Sequence, residues 1–446
     1  MDTALLSRIQ FGLTAGFHFI FPPLTIGLAW LIFYFKSMYL KTGNEDYWKI
    51  SRFWTKLFAI GFVIGVATGI PMEFQFGTNW SSYARYVGDV FGAPLAAEVI
   101  FSFFLESFFL AILVFGADKV SKKAQWFAAL MVAFGSTLSA FWIIVAGSWM
   151  QTPAGFEIIN GRAQLMDFQA ALFNPSVGER FTHVITAALT SGAFYMMGIS
   201  ALFMLRRRNL AFAKKSMSAA LVVAAITSLL QIPIGHAHAV EVAKLQPVKL
   251  AAFEGRYTTT AGAPLCLFGF PSKDEQCIKG AVEVPKLLSI LIYGDPNMVV
   301  AGLDSVPESE RPPVALTFFT FRGMAGLGTY MLALCALGIF LMARGTLTES
   351  TLFQRLALYS IPVPLLANEF GWMSAEIGRQ PWIVQGLMRT DQAFSKVVPA
   401  GQVLFSIILI SVIYAFLFVL WVYFIRQAVE AGPESLSGEA SGKEAI

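Results

Sequence analysis

Charged residues are scarce in this chain, and their scarcity excludes an ordinary soluble protein. Only 13% of its 446 residues are Asp, Glu, Lys or Arg, whereas soluble domains average about 25%. Hydrophobic residues make up 56% of the chain, and the mean hydropathy is +0.63. The formal net charge of +4 is small, and its basic residues fall between apolar runs. The composition therefore gives no indication of a nucleic-acid partner.

Cysteines are few, and strands with an alternating pattern are missing from the sequence. The three cysteines are Cys266, Cys277 and Cys335. The absence of a Cys-x-x-Cys spacing excludes thiolate metal sites and covalently attached c-type haem. Cys266 and Cys277 share one polar loop, and whether they form a disulfide depends on the compartment that the loop faces. Because no segment alternates apolar and polar residues, a membrane β-barrel is also excluded.

Long apolar runs are abundant, and each can cross about 30 Å of hydrocarbon as a helix. The first run is too long for the apolar part of a signal peptide and lacks a small-residue cleavage site. The predicted fold class is all-α, a polytopic membrane helical bundle with about nine transmembrane helices. The predicted spans are 11–35, 53–76, 95–117, 125–149, 181–205, 217–235, 314–342, 353–374 and 399–425.

The charge of the loops predicts the topology. Short basic loops alternate with longer loops of mixed charge, and the positive-inside rule places the basic set in the cytoplasm. The N-terminus is then outside and the C-terminus cytoplasmic. We predict a transmembrane bundle over 1–431, which includes an extracytoplasmic loop over 236–313. Residues 432–446, rich in Ser, Gly and Glu, form a disordered cytoplasmic tail in this prediction.

Two histidines and one methionine are candidate metal ligands. His18 lies inside the first span, and His183 opens the fifth, both near the predicted outer face. A single histidine on an apolar helix is either a hydrogen-bonded core residue or a ligand. Met324 is flanked by glycines that would let a flat macrocycle approach the backbone. Methionine in such a helix usually serves packing, but a His and a Met from two helices also make a six-coordinate haem.

Carboxylates inside apolar spans are candidates for function, because an ionised group in hydrocarbon is costly. Glu98 and Glu106 flank Ser102 at helical spacing, which indicates either a proton relay or a structural pair. Glu376 ends the eighth span three residues before Arg379. It is either an ordinary helix end or a group that serves a haem, as a ligand or as the partner of a propionate.

Three motifs carry a resemblance to a known family. They are Ser7–Gly12 before His18, the segment from Gly371 through Glu376 to Trp382, and Lys249–Glu254. With these motifs the chain resembles subunit I of the cytochrome bd-type quinol oxidases over essentially its full length. The resemblance implies an enzyme that oxidises quinol near the outer face and reduces O2 to water. Protons would come from the cytoplasm, and the reaction would be electrogenic without a pump.

The resemblance also implies the haem ligands. His183 and Met324 would be the axial ligands of a low-spin haem b. His18 and Glu376 would hold a paired site with a high-spin haem b and the oxygen-reducing haem. Which of the two residues holds which haem stays open.

The remaining site residues follow from the same resemblance. Lys249 and Glu254 would belong to the quinol segment, and Arg322 would tune the low-spin haem or hold a propionate. The other implied positions are Glu98 beside the paired haems, Glu106, Ser139 and Asp118 on the proton-input route, Trp372 between haems, and Arg379 near the propionates.

The resemblance implies two haem b and one haem d. The short outer loop is similar to that of a subgroup with cyanide-insensitive members, some of which carry a third haem b in place of haem d.

The family's ligand set does not require His236 and His238; they are either a metal pair or a surface pair near the proton exit.

The implied partners are subunit II, a small single-span subunit, membrane lipid, ubiquinol or menaquinol, and O2. The implied location is the bacterial cytoplasmic (inner) membrane.

Two other functions are compatible with parts of the pattern. A haem-free proton-coupled transporter would explain Glu98 and Glu106, but not His183 with Met324. A haem-b subunit that passes quinol electrons to another partner would explain those two ligands, but not a second site at His18 and Glu376.

Overall fold

The computed structural model describes residues 2–434, which form a bundle of long helices. The helices are α1 Thr3–Phe19, α2 Phe21–Thr42, α3 Glu45–Thr78, α4 Ser81–Ala97, α5 Phe104–Phe115, α6 Lys122–Gln151, α7 Phe168–Leu172, α8 Val177–Leu205, α9 Leu210–Leu245, α10 Pro247–Glu254, α11 Leu287–Tyr293, α12 Val314–Ala343, α13 Thr351–Tyr359, α14 Val363–Ile377, α15 Thr390–Ala393 and α16 Ala400–Ala431. A π-helical segment, Glu98–Phe103, joins α4 to α5.

The predicted membrane bundle is confirmed. Within residues 2–434, eight helical segments are long and apolar enough to cross a membrane, and the first of them combines α1 and α2. Most extend past the predicted spans at both ends, because hydropathy marks only the part of a helix that lies in hydrocarbon. The side of the membrane that holds each terminus remains a prediction.

The eighth predicted span, 353–374, differs from the expectation. It is divided into α13 and α14 by Ser360–Pro362, and neither helix alone has the length of a membrane span. Pro362 lacks a backbone N–H and disfavours helical geometry at the residue before it, which explains the break at this point. The Ser360 hydroxyl lies 2.8 Å from the hydroxyl of Tyr330 on α12, so a neighbouring helix provides a polar partner at the break.

The sixth predicted span also needs a correction. It was expected to end at residue 235, but α9 continues to Leu245, so the connection that follows begins later than the predicted loop over 236–313. His236 and His238 consequently lie on a helix. Residues 236–245 mix apolar with polar side chains, a composition that hydropathy assigns to a loop although it is compatible with a helix.

Small residues bring the central helices together. A Cβ on Gly192 of α8 would lie 2.4 Å from the carbonyl carbon of Gly27 on α2, so only glycine fits at this crossing. Close backbone approach at glycine is a common way for helices to pack in membranes. This contact places α8, which carries His183, directly against α2, which continues from the helix that carries His18.

Eight short strands form four antiparallel pairs outside the long helices. The pairs are β1 Phe156–Ile159 with β2 Arg162–Leu165, β3 Thr260–Ala261 with β6 Val299–Val300, β4 Leu265–Ser272 with β5 Cys277–Val284, and β7 Trp382–Val384 with β8 Met388–Arg389. The first of these pairs packs on α4, and β4 contacts α12. The strands therefore cover one end of the bundle.

The strand register separates the two loop cysteines. Cys266 pairs with Glu283, whereas Cys277 pairs with Ser272 at the other end of the same hairpin. The two sulfurs are thus several residues apart along the strands, beyond the Cα separation of about 7 Å that limits a disulfide. Both cysteines are free in the structure.

The predicted disordered tail, 432–446, lies almost wholly outside the described residues. Residues 432–434 follow α16 without helix or strand. The division into a bundle and a tail therefore stays a prediction.

Candidate active site

Helix α14 separates two groups of candidate ligands. On one face, a Cβ on Gly371 would lie 2.9 Å from the sulfur of Met324 on α12. On another face, the Glu369 carboxylate reaches α1, where a Cβ on Gly16 would lie 3.3 Å from Glu369 Oε2. Positions three and seven residues apart share a helix face, so Trp372 and Glu376 follow Glu369 on the α1 side. Met324 and Glu369 thus lie against different faces of α14, and Glu376 shares the face of Glu369.

The His18 ring is oriented by α3. Its Nδ1 lies 3.1 Å from the hydroxyl of Thr68. That hydroxyl also lies 3.0 Å from the carbonyl oxygens of Ile64 and Gly65, either of which can take its proton. Thr68 is therefore placed to accept a hydrogen bond from His18 Nδ1–H. In that tautomer the lone pair of Nε2 is available to a metal, which is the arrangement usual for a ligating histidine.

His183 has an unused ring nitrogen. Among residues 2–434, its buried Nδ1 has no hydrogen-bond partner. The ring stands edge-on to that of His238, with centroids 5.7 Å apart. Nε2 of His238 lies 3.9 Å from Oε2 of Glu241 on the next turn of α9. A buried nitrogen without a partner is costly unless a group from outside the chain bonds to it.

Glu376 belongs to a buried polar network that connects it to α10. Its carboxylate accepts hydrogen bonds from Arg379 and from the side-chain amide of Gln151, the latter at 3.2 Å. The amide oxygen of Gln151 accepts from Lys249 Nζ at 2.7 Å and from Gln246 at 3.0 Å. The network therefore places Lys249 and Glu376, which lie far apart in the sequence, one side chain from each other.

Three basic side chains are buried in and around this network, namely Arg180, Lys249 and Arg379. The Glu376 carboxylate binds Arg379 directly and is connected to Lys249 through Gln151, and the charge of Glu241 also acts on Arg180 and Lys249. Burial, and next the positive charge of Arg180, lower the pKa of Lys249 well below its usual value. Nε of Arg379 is a buried donor without a partner in the described part of the chain. Buried cations need anionic partners, so this region is suited to bind carboxylates from another molecule.

Glu254 lies at the other end of α10 and faces α12. Its carboxylate binds Arg322 through two nitrogens, Nη2 at 2.5 Å and Nη1 at 3.4 Å. The Nε of Arg322 also donates to the carbonyl oxygen of Cys266 at 2.8 Å. Arg322 is two residues from Met324, so this ion pair connects the Lys249–Glu254 segment to the helix of a candidate ligand.

The carboxylates of the third predicted span are paired with serines of α6. Ser139 donates to Glu98 at 2.7 Å, and Ser136 donates to the buried Glu106. The Ser102 hydroxyl, placed between the two by the sequence, is buried without a partner among the described residues. Ser139 is thus hydrogen-bonded to Glu98 in the structure, although the family resemblance placed it on the proton-input route together with Glu106.

Asp118 lies at the surface beyond the end of α5. Its side chain is 77% exposed and pairs with Arg52 at 3.5 Å. Helix α5 leads from Glu106 toward this residue, so Asp118, Glu106 and Glu98 follow one another along the contact between α5 and α6.

A family model described as cytochrome bd terminal oxidase subunit I matches residues 6–433. The chain belongs to this family. It is 41% identical over 445 residues to cytochrome bd ubiquinol oxidase subunit 1 of Bacillus subtilis, covering 97% of this chain and 95% of that protein. It is 35% identical over 506 residues to cytochrome bd-II ubiquinol oxidase subunit 1 of Escherichia coli, covering 98% of each.

The fold agrees with that of a solved member of the family. The structure of bd oxidase from Geobacillus thermodenitrificans matches with a TM-score of 0.90 and 30% identity, covering 97% of this chain and 99% of that one. This subunit of a bd-type terminal oxidase is therefore an oxidoreductase and a multi-pass membrane protein.

Haem cofactors follow from the family, and the residues of this chain fit them. His18 Nε2 and His183 Nδ1 are nitrogen donors free for iron, and Met324 offers a thioether. Glycines lie beside these groups: a Cβ on Gly69 would be 3.1 Å from Cε1 of His18. The excess of buried cations near Glu376 suits the two carboxylates of a haem.

Several residues of the site were not identified from the sequence. The residues of the site that the sequence did not indicate are Thr68, Ser136, Gln151, Arg180 and Glu369. Glu369 had a sequence signal, since it lies seven residues before Glu376 and thus on the same helix face. The others are neutral or surface-like residue types whose importance depends on which helices pack together.

Proposed function

We propose that this chain is the haem-carrying subunit of a quinol oxidase that reduces O2 to water. The observation that carries the proposal is the position of α10. Glu254 at one end is bonded to Arg322, beside Met324, and Lys249 at the other end reaches Glu376 through Gln151. A quinol bound along α10 would therefore lie next to both groups of candidate haem ligands.

His183 and Met324 would hold a low-spin haem b, and His18 and Glu376 would hold the paired site. Two haem b and one haem d, or a third haem b in its place, fit this ligand set. The haems that these residues would hold would supply single-electron transfer and the binding of O2. Trp372 would lie between the haems, and Arg379 would bind haem carboxylates.

Glu254 would accept a proton from quinol. Its side chain is only 4% exposed, and both of its carboxylate oxygens contact the guanidinium of Arg322. A carboxylate held in this way is a suitable general base for a hydroxyl group that loses an electron and a proton together. Lys249, a hydrogen-bond donor on the same helix, would help to orient the quinol ring oxygens.

Protons for water would enter by the opposite route. Asp118 is exposed at the predicted cytoplasmic end, and Glu106 with Ser136 and Glu98 with Ser139 follow toward the outer half of the bundle. Each carboxyl can hold a proton and pass it through its serine or an intervening water. Protons would be taken up on the cytoplasmic side of the membrane and released at Glu254 on the other side. This would separate charge across the membrane without a pump.

Ser136→Ala tests this route. The hydroxyl that supports Glu106 is lost, so we expect proton-coupled oxygen reduction to slow by about 10-fold, the effect of losing ~1.4 kcal/mol. Thr137→Ala is the matched control, because Thr137 bonds to Trp30 and its own helix instead of a carboxylate. Oxygen consumption is measured in membranes with quinol as donor. Equal rates in both variants would remove Glu106 and Ser136 from the route.

Thr68→Val tests the support of His18. The variant keeps the shape of the side chain but removes the acceptor for His18 Nδ1–H, and we expect haem retention at this site to weaken by about 10- to 100-fold. Thr55→Val on the same helix is the control, since its hydroxyl donates to the Ser51 carbonyl of its own helix and not to a histidine. Haem content after identical purification gives the comparison. Undiminished haem in Thr68→Val would contradict the assignment of His18.

Subunit II of the oxidase is the proposed main partner, with a small single-span subunit in addition. Helix α16 has exposed large apolar side chains that need lipid or a partner helix, such as Phe405 at 67% and Phe416 at 60% exposure. The proposed location is the bacterial cytoplasmic membrane, with ubiquinol or menaquinol as donor.

Reconstitution in liposomes tests the whole reaction. We expect quinol to drive oxygen uptake and to release equal numbers of protons and electrons on the side of α10. A release of more protons than electrons would indicate a pump. A complex with reduced haems but no oxygen uptake would instead support transfer of electrons to another partner.

A further inference from the structure

Gln151 is the residue through which the proposed quinol segment contacts the carboxylate of the oxygen site. It ends α6, and only 1% of its surface is exposed. Its amide oxygen accepts hydrogen bonds from Lys249 Nζ at 2.7 Å and from the side-chain amide of Gln246 at 3.0 Å. Its amide nitrogen donates to Glu376 Oε1 at 3.2 Å and lies 3.5 Å from the carbonyl oxygen of Ala375. One amide group therefore bonds to α10 on one side and to α14 on the other.

The orientation of this amide follows from its neighbours. One carboxylate oxygen of Glu376 accepts from Arg379, and the nitrogen of Gln151 faces the other. The side chain of Gln246 turns its own oxygen toward Lys249 at 3.3 Å and Arg180 at 3.4 Å, which leaves its nitrogen for Gln151. The oxygen and nitrogen of the Gln151 amide thus each face complementary groups, and reversing the amide would place two oxygens together at one end and two donors at the other.

We propose that Gln151 is a positioning residue that couples Lys249 to Glu376, an inference that rests on the proposed function. A donor on the oxygen of an amide polarises its N–H, so hydrogen bonds in such a chain strengthen one another. A change of charge or of contacts at Lys249 therefore changes the hydrogen bond that Glu376 receives. Occupancy of the quinol segment is in this way transmitted to the carboxylate that would bind haem iron.

The packing of the two helices supports a short and rigid connection. A Cβ on Gly378, two residues after Glu376, would lie 3.1 Å from Cγ of Lys249 and 3.1 Å from Cε1 of Phe253. Helix α10 and the end of α14 are thus in direct contact without an intervening side chain. Because the site is buried, water cannot screen the interaction, and its effect is larger than it would be at a surface.

A double-mutant cycle tests the coupling in the complete oxidase complex. The variants are Lys249→Met, Gln151→Leu and the double variant, and the readout is the midpoint potential of the haem on the Glu376 side, titrated with chemical mediators instead of quinol. We expect Lys249→Met to lower the potential, because Glu376 then receives a weaker hydrogen bond and donates more electron density. A tenfold change in the reduction equilibrium corresponds to about 59 mV for one electron.

In the Gln151→Leu background, the same Lys249→Met change is expected to have little further effect. Gln385→Leu is the matched control: Gln385 accepts from Gln246 at 3.3 Å in the same network but is not a link to Glu376. Lys249→Met should keep its full effect in that background. The potential of the low-spin haem at His183 should not change in any variant.

A failure of the coupling can be distinguished from a failure of the proposed function. Equal shifts from Lys249→Met with and without Gln151 would overturn the coupling, although haem binding and oxidase activity would stand. A complex without haem in the unsubstituted protein would instead contradict the proposed function. If Gln151→Leu does not assemble, Gln151→Asn replaces it, since its shorter amide cannot reach both partners, and an unchanged Lys249→Met effect there would again refute the coupling.

Discussion

Replacing His18 or Glu376 by alanine should abolish quinol-driven oxygen consumption and leave the low-spin haem spectrum largely intact. Glu376 shares a helix face with Glu369, which reaches the helix that carries His18, whereas Met324 lies against Gly371 on another face of α14. Loss of a supporting partner of a metal ligand costs about 10- to 100-fold in affinity or activity, and loss of the ligand itself should exceed that. Oxygen uptake and the reduced-minus-oxidised spectrum of purified complex give both quantities.

His236→Ala is the control for these variants. His236 is exposed on α9 and outside the expected ligand set, so its substitution should leave oxygen consumption and the haem spectra unchanged. Full oxidase activity in both His18→Ala and Glu376→Ala would refute the paired site. Loss of the low-spin spectrum in both would show that α14 does not separate two independent sites.

The substitution Glu254→Gln should slow quinol oxidation by about 100- to 10,000-fold, the usual contribution of a general base. The glutamine can still accept a hydrogen bond from Arg322, so we expect the fold and the haem spectra to persist. What is lost is the carboxylate that takes the quinol proton. The rate of haem reduction by quinol in stopped flow measures this step directly.

An artificial electron donor that releases no proton separates the base role from a structural one. Oxygen consumption with such a donor should be nearly normal in Glu254→Gln. Glu283→Gln is the matched control, because Glu283 also pairs with an arginine, Arg256 at 3.0 Å, but on the β4–β5 hairpin. Normal quinol oxidation in Glu254→Gln would exclude Glu254 as the proton acceptor.

The membrane helices were predictable from the sequence because transfer of an apolar run into hydrocarbon is a local property. Two of the predicted spans differ from the helices in the structure. Pro362 divides an apolar stretch that hydropathy treats as continuous, and residues 236–245 form a helix despite their moderate hydropathy. Whether such a segment is helical depends on the side chains that pack against it, which the sequence does not specify.

The candidate site was predictable only where the residue type is unusual in a membrane helix. His18, Glu98 and Glu106 were identified because ionisable groups are rare in hydrocarbon. Their partners Thr68, Ser139 and Ser136 are of types found in most helices, and only Ser139 was named, through the resemblance. Pairing was the difficult part: Ser139 bonds to Glu98, and Arg322 bonds to Glu254, contacts that depend on how helices are placed side by side.

The most direct test of the account is the haem content of the purified oxidase complex. A pyridine-haemochrome analysis with a reduced-minus-oxidised spectrum counts and types the haems together. We expect haem b at the His183 and Met324 site, with a further haem b and either haem d or another haem b at His18 and Glu376. A carefully purified complex without a Soret band would contradict the account, because the remaining carboxylates would then indicate a haem-free proton-coupled transporter.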